Sequence, residues 1–494
     1  MLRTTREPDL RAKQQGFVFQ VQAVDAIKDL PFAAVFHEQG LGKTKIGVDL
    51  ALYWLAHDVV DSVVVITKKS LIQNWRDELA VHTYVQPRLL NQDRRANFYA
   101  FNSPSRIYLA HYEVLKSEHK RLQLFLKTRR VAAILDEAHK IKNPDSEIAK
   151  VLFDLAPGFA RRVIMTGTPV ANRPYDLWAQ IYFLDGGASL GKDFNAFRSD
   201  LDLSNDLSRD KDKARRFEEA LTNLFGRIRT FAVRETKQSA DIGLPEKEIR
   251  SAFVSLESRQ AEIYETFRKE FAAIVVRNGK PELDNAEEIL KRLLRLVQVA
   301  SNPRLIDQSY QAIPGKFPKL LEIVEGVFDR GEKVIVWTAF TGNVDWIARE
   351  LRTFNAVRVH GKMAYDARNK SLNAFKTDPD CKVLVATPSS AKEGLTLTVA
   401  NNAVFYDRSF SLDDYLQAQD RIHRISQTQP CVITNIQAEK TVDEWVDVLL
   451  AAKQLAAKLG QGDITRLQYE AEVSYAFGDM VRAVLGLEEN GNEH

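Results

Sequence analysis

The run Gly40-Leu41-Gly42-Lys43-Thr44 stands between an apolar stretch, Phe32–Phe36, and a segment, Thr44–Leu55, in which Ile46, Leu50 and Trp54 recur at helical spacing. A strand that turns through glycines straight into a helix is the repeating step of a parallel α/β fold. The glycines let the backbone wrap closely around phosphate oxygens with its amides turned inward. The helix that follows adds its dipole and its unbonded N–H groups. In such a loop Lys43 reaches the β- and γ-phosphates, and the Thr44 hydroxyl is a Mg²⁺ ligand. His37 stands where the long phosphate-loop pattern has its first glycine. The plainer reading of the run is a glycine-rich turn that only connects two elements.

The rest of the chain keeps the same rhythm in two stretches. Ser62–Thr67, Ile107–Ala110, Val131–Leu135 and Val163–Met165 are rich in Val and Ile without strict alternation, as strands are when both sheet faces are covered. Asp200–Arg216 is polar and crowded with charge, so it reads as a loop or an exposed helix. Glu257–Arg277 and Asn285–Val299 have helical spacing, with Ile289, Leu293, Leu296 and Val297 in one stripe. Strand candidates return at Lys333–Trp337, Ala356–Val359, Lys382–Ala386, Ala403–Tyr406 and Cys431–Ile436. Gly342–Phe354 and Ala364–Phe375 are the helical segments between the first three. The fold class is therefore α/β, with two parallel-sheet lobes divided by a helical region. The expected boundaries are 1–230 for the first lobe, 231–315 for a mostly helical linker, 316–455 for the second lobe and 456–494 for a helical tail.

Charge and composition narrow the function classes. The 494 residues carry 69 Lys and Arg against 66 Asp and Glu, a net of +3, so any nucleic-acid surface must be a local groove. Two cysteines form neither a disulfide framework nor a four-ligand zinc site, and the nine histidines show no zinc spacing. No apolar run reaches the roughly 20 residues of a membrane span. Met1–Lys13 is charged and lacks the apolar stretch of a secretory signal. The expectation is a soluble, intracellular protein with no membrane partner.

Asp136-Glu137-Ala138-His139 follows the apolar run Val131–Leu135. An acidic pair at the end of a buried strand is costly unless it serves a cation or a reaction. Asp136 suits Mg²⁺, and Glu137 suits orienting or deprotonating an attacking water. His139 either bridges the site to the next segment or caps the strand end. Thr166-Gly167-Thr168-Pro169 could place hydroxyls near the acidic pair, or be an ordinary turn. Gln20, ahead of the first strand, could read an adenine through its two-faced amide, or face solvent. Arg421 and Arg424 are three residues apart and are expected on one helical face, either solvated or presented to a transferring phosphoryl group.

With these motifs in order, the sequence resembles a superfamily 2 helicase-like ATPase, closest to the Snf2/Swi2 group of double-stranded DNA translocases. Gly40–Thr44 resembles motif I, Lys69–Glu78 motif Ia, Asp136–His139 motif II, and Met165–Pro169 with Asn172 and Asp176–Trp178 motif III. Arg234–Lys237, Leu244–Lys247 and Val299–Pro303 resemble the passage into the second lobe. Val334–Phe340 resembles motif IV; Glu393–Leu397, Tyr406-Asp407, Gln417-Ala418 and Asp420–Gln427 resemble motifs V and VI. The similarity runs over about residues 16–455.

The resemblance implies two RecA-like lobes, ATP and Mg²⁺ as nucleotide and cofactor, and double-stranded DNA as partner. By it Gln20 reads adenine; Gly40, Gly42, Lys43, Thr44, Asp136 and Glu137 bind and hydrolyse MgATP; Arg421 and Arg424 complete the site. Lys69, Asn74, His139, Thr166, Thr168, Lys392, Thr396 and Gln417 line or couple to the DNA groove, and Lys68 is a further candidate contact. It also implies a monomeric, DNA-associated cytoplasmic motor of a bacterium or virus, with a protein client in repair, restriction, defence or transcription. Translocation without efficient strand separation is the expectation; a strand-separating helicase, an ATP-driven remodelling switch and a non-enzymatic binding module are the alternatives. His37-Glu38-Gln39 in place of Asp-Glu-Met, Ala171 before Asn172, Lys392-Glu393 in place of paired glycines, and Ser426-Gln427 in place of Gly-Gln depart from the group's pattern.

Overall fold

Val-, Ile- and Ala-rich runs that cannot hide one face alone form the centres of two parallel sheets, each flanked by helices. The computed structural model describes residues 7–91, 93–167, 169, 174–201, 211–240, 243–276, 286–391, 396–461 and 484. The chain divides into two compact units. One takes in Met1–Leu201 with Glu219–Ile242, the other Asp202–Glu218 with Gly243–His494.

The first unit holds seven strands: β1 Phe32–Val35, β2 Ser62–Thr67, β3 Arg88–Leu90, β4 Ile107–His111, β5 Val131–Asp136, β6 Arg161–Met165 and β7 Ala232–Val233. They lie in the order β3-β4-β2-β5-β6-β1-β7, and every pairing is parallel. β2, β4 and β5 are buried at every position, which explains why their middles are apolar on both faces. Three helices bear on the site: α1 Val18–Ile27, α2 Lys43–Ala56 and α3 Ile72–His82. Ile46, Leu50 and Trp54 of α2 pack with Val63, Val65 and Trp75 in one core. The short strands β3 and β7 lie at the two edges, where few apolar residues are needed; no periodic signal marks them in the sequence.

The second unit holds β8 Lys247–Val254, β9 Val334–Trp337, β10 Val357–Val359, β11 Val383–Ala386, β12 Asn402–Phe405 and β13 Cys431–Ala438. Their order is β10-β11-β9-β12-β13-β8, again all parallel. The helices Ser258–Val276 and Ala286–Ser301 pack with Val442–Gln461 around Tyr264, Leu296, Val297, Val442 and Val446.

Two expectations therefore change. The boundaries at 230 and 315 do not coincide with the compact units: β7 pairs with β1 in the first sheet, and β8 pairs along its full length with β13 in the second. The helices read as a linker share a core with the second unit. β8 escapes a sequence reading because it is an edge strand whose Glu248 and Arg250 face solvent and bind each other. Among the described residues no helix is long and apolar enough to cross a membrane.

Candidate nucleotide site and the arginine turn

Three neighbouring strands bring the first set of residues together. Register pairs Val35 of β1 with Met165 of β6, and Met165 with Asp136 of β5. The loop after β1, Thr166 and the acidic pair therefore leave the sheet side by side at its C-terminal edge, where parallel α/β sheets bind ligands. The loop itself is tied down from both sides. Phe36 N and Glu38 N donate to Val233 O and Glu235 O, and Glu38 Oε2 accepts from Lys237 N at 2.8 Å. The 232–237 stretch, which includes the Arg234–Lys237 run expected at the passage into the second lobe, thus braces the phosphate loop.

Gly40 and Gly42 have φ of 89° and 69°, a left-handed geometry that side chains resist. A Cβ at Gly42 would also collide with the amide nitrogen of Gln20. Gln20 is buried rather than solvent-facing. Its Nε2 donates to Leu41 O at 3.0 Å and its Oε1 accepts from Phe17 N at 3.0 Å, so α1 is clipped to the loop. Lys43 opens α2 and is buried, with Nζ donating to His37 O at 3.0 Å and Glu38 O at 3.3 Å. Thr44 is half-buried one residue on. The first turn of α2 has neither an acidic residue nor a side-chain cap, leaving its amides for an anion.

Asp136 ends β5. Its Oδ2 accepts from Thr67 Oγ1 at 3.1 Å and Trp75 Nε1 at 2.8 Å, and its Oδ1 accepts from Glu137 N at 3.0 Å. Burial, then the Glu137 charge, raises its pKa; the Trp75 bond, Lys43 and Thr67 oppose that. Glu137 turns out of the strand with φ 53°, a strained conformation for a side chain of its size. Burial pushes its pKa up too, but His139, Lys68 and Lys43 outweigh it and hold Glu137 well below the ordinary carboxylate range. Its Oε1 lies 3.5 Å from Gln39 Nε2, and its Oε2 lies 3.1 Å from His139 Nδ1. His139 Nε2 is 2.8 Å from Lys68 Nζ.

This donor set fits a magnesium nucleotide. A buried lysine bonded to two loop carbonyls, a glycine cradle, a bare helix N-terminus and two adjacent buried carboxylates offer a polyphosphate its partners and leave the ion mostly to phosphate and water. Groups of three or more His, Cys, Asp or Glu that would hold a metal alone are absent among the described residues.

The second unit carries the arginines, and not on a helix. The helix Leu412–Gln419 ends before them, and Arg421–Arg424 follow as consecutive turns, with Arg421 N and His423 N bonded back to Ala418 O and Gln419 O. Arg421 is 2% exposed, which excludes the solvated face. Arg424 Nη1 donates to Thr396 Oγ1 at 2.9 Å, and Leu397 N donates to Arg421 O at 3.0 Å. Gln417 is fully buried with Nε2 on Asp413 Oδ1 at 2.7 Å, so its side chain is not presented at the surface. Lys69 and Thr396 are exposed, Asn74 and His139 half-buried, and Thr166 fully buried with its N–H on Val35 O. Thr168 and Lys392 lie outside the described residues, as do Ala171, Asn172 and Glu393.

Three residues that the motif reading did not single out for a role hold these sets in place. Trp75 donates to Asp136. Gln427 donates to Ile422 O at 2.9 Å and Ala400 O at 3.0 Å and accepts from Thr428 N and Gln429 N, fastening the arginine turn to the loop after Thr396. Asp407 accepts from Ser301 Oγ, Thr338 Oγ1, Ala339 N and Asn343 Nδ2 at 2.6–3.1 Å, joining three strand and helix ends. All three lie inside or beside recognisable motifs, but only the folded chain shows what each one touches.

A model of the SNF2-related domain matches residues 33–305, and a model of the helicase conserved C-terminal domain matches residues 315–426. These are the two modules of helicase-like ATP hydrolases. The chain belongs to the SNF2-related family. It is similar to the lymphoid-specific helicase of Homo sapiens (24% identical, 85% of this chain, 59% of that protein) and to the putative ATP-dependent helicase/translocase YwqA of Bacillus subtilis (26%, 85% and 46%). It also resembles the ISWI chromatin-remodeling complex ATPase ISW1 of Saccharomyces cerevisiae (25%, 86% and 39%). The chain thus spans 39 to 59% of these relatives' lengths. The SWI2/SNF2 ATPase core of Sulfolobus solfataricus, solved in complex with dsDNA, aligns at 23% identity and a TM-score of 0.42 over 98% of this chain and 99% of that one.

Proposed function

We propose that the chain is a DNA-dependent ATPase that moves along double-stranded DNA without efficient strand separation. The observation that carries this reading is that the loop after β1, which leads to Lys43, and the Asp136-Glu137 pair ending β5 leave the same sheet edge on either side of β6 in an SNF2-related chain. Lys43 exchanges the His37 and Glu38 carbonyls for phosphate oxygens, which are stronger partners for an ammonium. Gly40 and Gly42 keep the loop backbone open to the phosphates, and Gln20 reads the adenine edge with the amide it now gives to Leu41 O. Thr44 and Asp136 hold Mg²⁺, which when bound screens the phosphate charge. Glu137 orients the attacking water and takes its proton. Arg421 and Arg424 supply positive charge to the transferring phosphoryl group.

Lys69, Asn74, Thr168, Lys392 and Thr396 are assigned to the DNA backbone, and His139, Thr166 and Gln417 to coupling. Backbone contacts carry little base preference and strong salt sensitivity. The test compares ATP turnover on duplex DNA, single-stranded DNA and RNA, and then triplex displacement against fork opening. The reading expects the duplex to stimulate most and a third strand to be displaced while forks stay closed. Efficient fork opening establishes a strand-separating helicase instead. Turnover indifferent to every nucleic acid overturns the motor.

A further inference from the structure

Glu137 is flanked by Gln39 from the phosphate loop and by His139 two residues on, and the chain of contacts continues through Lys68 toward the protein surface. On one oxygen sits the long contact from Gln39; on the other, the Nδ1 edge of His139 at 3.1 Å, with the carboxylate off the axis of the ring N–H. Lys68 closes the far side of the same ring at 2.8 Å. An ammonium has only protons to give, so the nitrogen it faces must be the lone-pair nitrogen. Lys68 therefore sets the tautomer: Nε2 accepts, and the ring proton is on Nδ1, turned toward Glu137. Lys68 is half-buried and stands directly before the exposed Lys69 and the turn that leads into α3.

Resting on the reading of Glu137 as the water-activating group and of Lys69 as a backbone contact, we propose that Lys68 and His139 form a DNA-responsive latch on Glu137. A phosphate held at Lys69 is a stronger partner for the Lys68 ammonium than a neutral imidazole nitrogen is. Once Lys68 turns to it, His139 is no longer held in one tautomer or one ring orientation, and its grip on Glu137 Oε2 loosens. With Lys68 in place the ring edge stands 3.1 Å from that oxygen and closes it to water, so the latched state turns over slowly and the unlatched state fast. Lys68 and His139 are positioning residues on this account; the reacting water meets only Glu137.

Lys68→Met keeps the chain length and removes the ammonium. It is expected to raise DNA-free kcat by about three- to tenfold, leave the KM for ATP unchanged, and reduce the ratio of DNA-stimulated to DNA-free turnover by the same factor. His139→Asn is expected to do likewise, and the double variant to add nothing, because the two act as one unit. The second readout uses nucleotide-free protein labelled with ¹⁵N-histidine, the His139 signals being assigned by their loss in His139→Asn. The wild type shows the Nδ1–H tautomer, and Lys68→Met or a saturating 20-base-pair duplex abolishes that preference. A Lys68→Met protein with wild-type DNA-free turnover, weaker duplex binding and an unchanged His139 tautomer overturns the latch and makes Lys68 an ordinary phosphate contact. If wild-type turnover ignores DNA altogether, the motor reading falls instead; the tautomer measurement in nucleotide-free Lys68→Met still decides whether Lys68 sets the His139 ring.

Discussion

The indole Nε1 of Trp75 lies 2.8 Å from Oδ2 of Asp136, so a fully buried side chain of α3 holds the carboxylate assigned to the metal. Together with Thr67 Oγ1 it fixes one oxygen of Asp136 while the backbone of Glu137 fixes the other. The helix that follows the Lys69–Leu71 turn is thereby tied to the nucleotide site by a rigid ring.

Trp75→Phe keeps most of the apolar packing and removes the donor. A hydrogen bond to a charged acceptor contributes about 1.5–3 kcal/mol, so the first unit is expected to lose roughly that much in urea unfolding. The Trp75 bond favours the ionised form of Asp136 against the burial and Glu137 charge that raise its pKa. Without it the pKa rises further, so the acid limb of the ATPase profile moves to higher pH and more Mg²⁺ is needed for half-maximal rate. An unmoved acid limb and Mg²⁺ requirement count against the positioning role.

Lys43→Ala removes the charge assigned to the phosphates. The carbonyls of His37 and Glu38 lose one donor, which costs about 1 kcal/mol in a half-open loop. Circular dichroism should show a folded protein while turnover falls by at least about a hundredfold. A variant with wild-type kcat removes the nucleotide from this site.

His37 is 2% exposed, and burial, followed by the Lys43 charge, lowers its pKa from 6.5 to about 4. The folded ring stays neutral where the unfolded one takes up a proton, so stability rises with pH across that interval. The contribution is complete above pH 6.5 and lost as pH falls toward 4, about 3 kcal/mol in all. His37→Gln should flatten the fall in unfolding free energy between pH 7.5 and 4.5. An identical pH slope in variant and wild type would refute the assignment.

Gln427→Leu matches the side chain in size and takes the amide donor away from the buried carbonyls of Ile422 and Ala400. The second unit should lose roughly 2–4 kcal/mol. If the arginine turn serves the phosphoryl group, kcat falls more than tenfold while the KM for ATP changes little. A stability loss with unchanged kcat assigns Gln427 to folding alone.

Much of this protein is legible in one dimension. Gly40–Thr44 works through covalent properties, backbone freedom and a long cationic side chain, which are present before folding. The ten strands read from Val and Ile runs are central, or carry such runs at an edge, and burial on both faces leaves that mark. Asp136 and Glu137 stand out because an acidic pair has no cheap place at the end of such a run.

Other features depend on partners far away in the chain. β3, β7 and β8 are edge strands, defined by the neighbour they pair with and not by their own periodicity. Arg421 and Arg424 have helical spacing, yet the helix stops at Gln419 because their backbone is needed by Leu397 and Gln427. Gln20 looks like a surface residue until Leu41 and Phe17 are beside it. Local chemistry, phosphate-binding and acidic, is written in short runs of residues. Which lysine meets which histidine, and which indole steadies which carboxylate, was decided only when separate strands and helices closed on one another, because hydrogen-bond partners are chosen by distance in space.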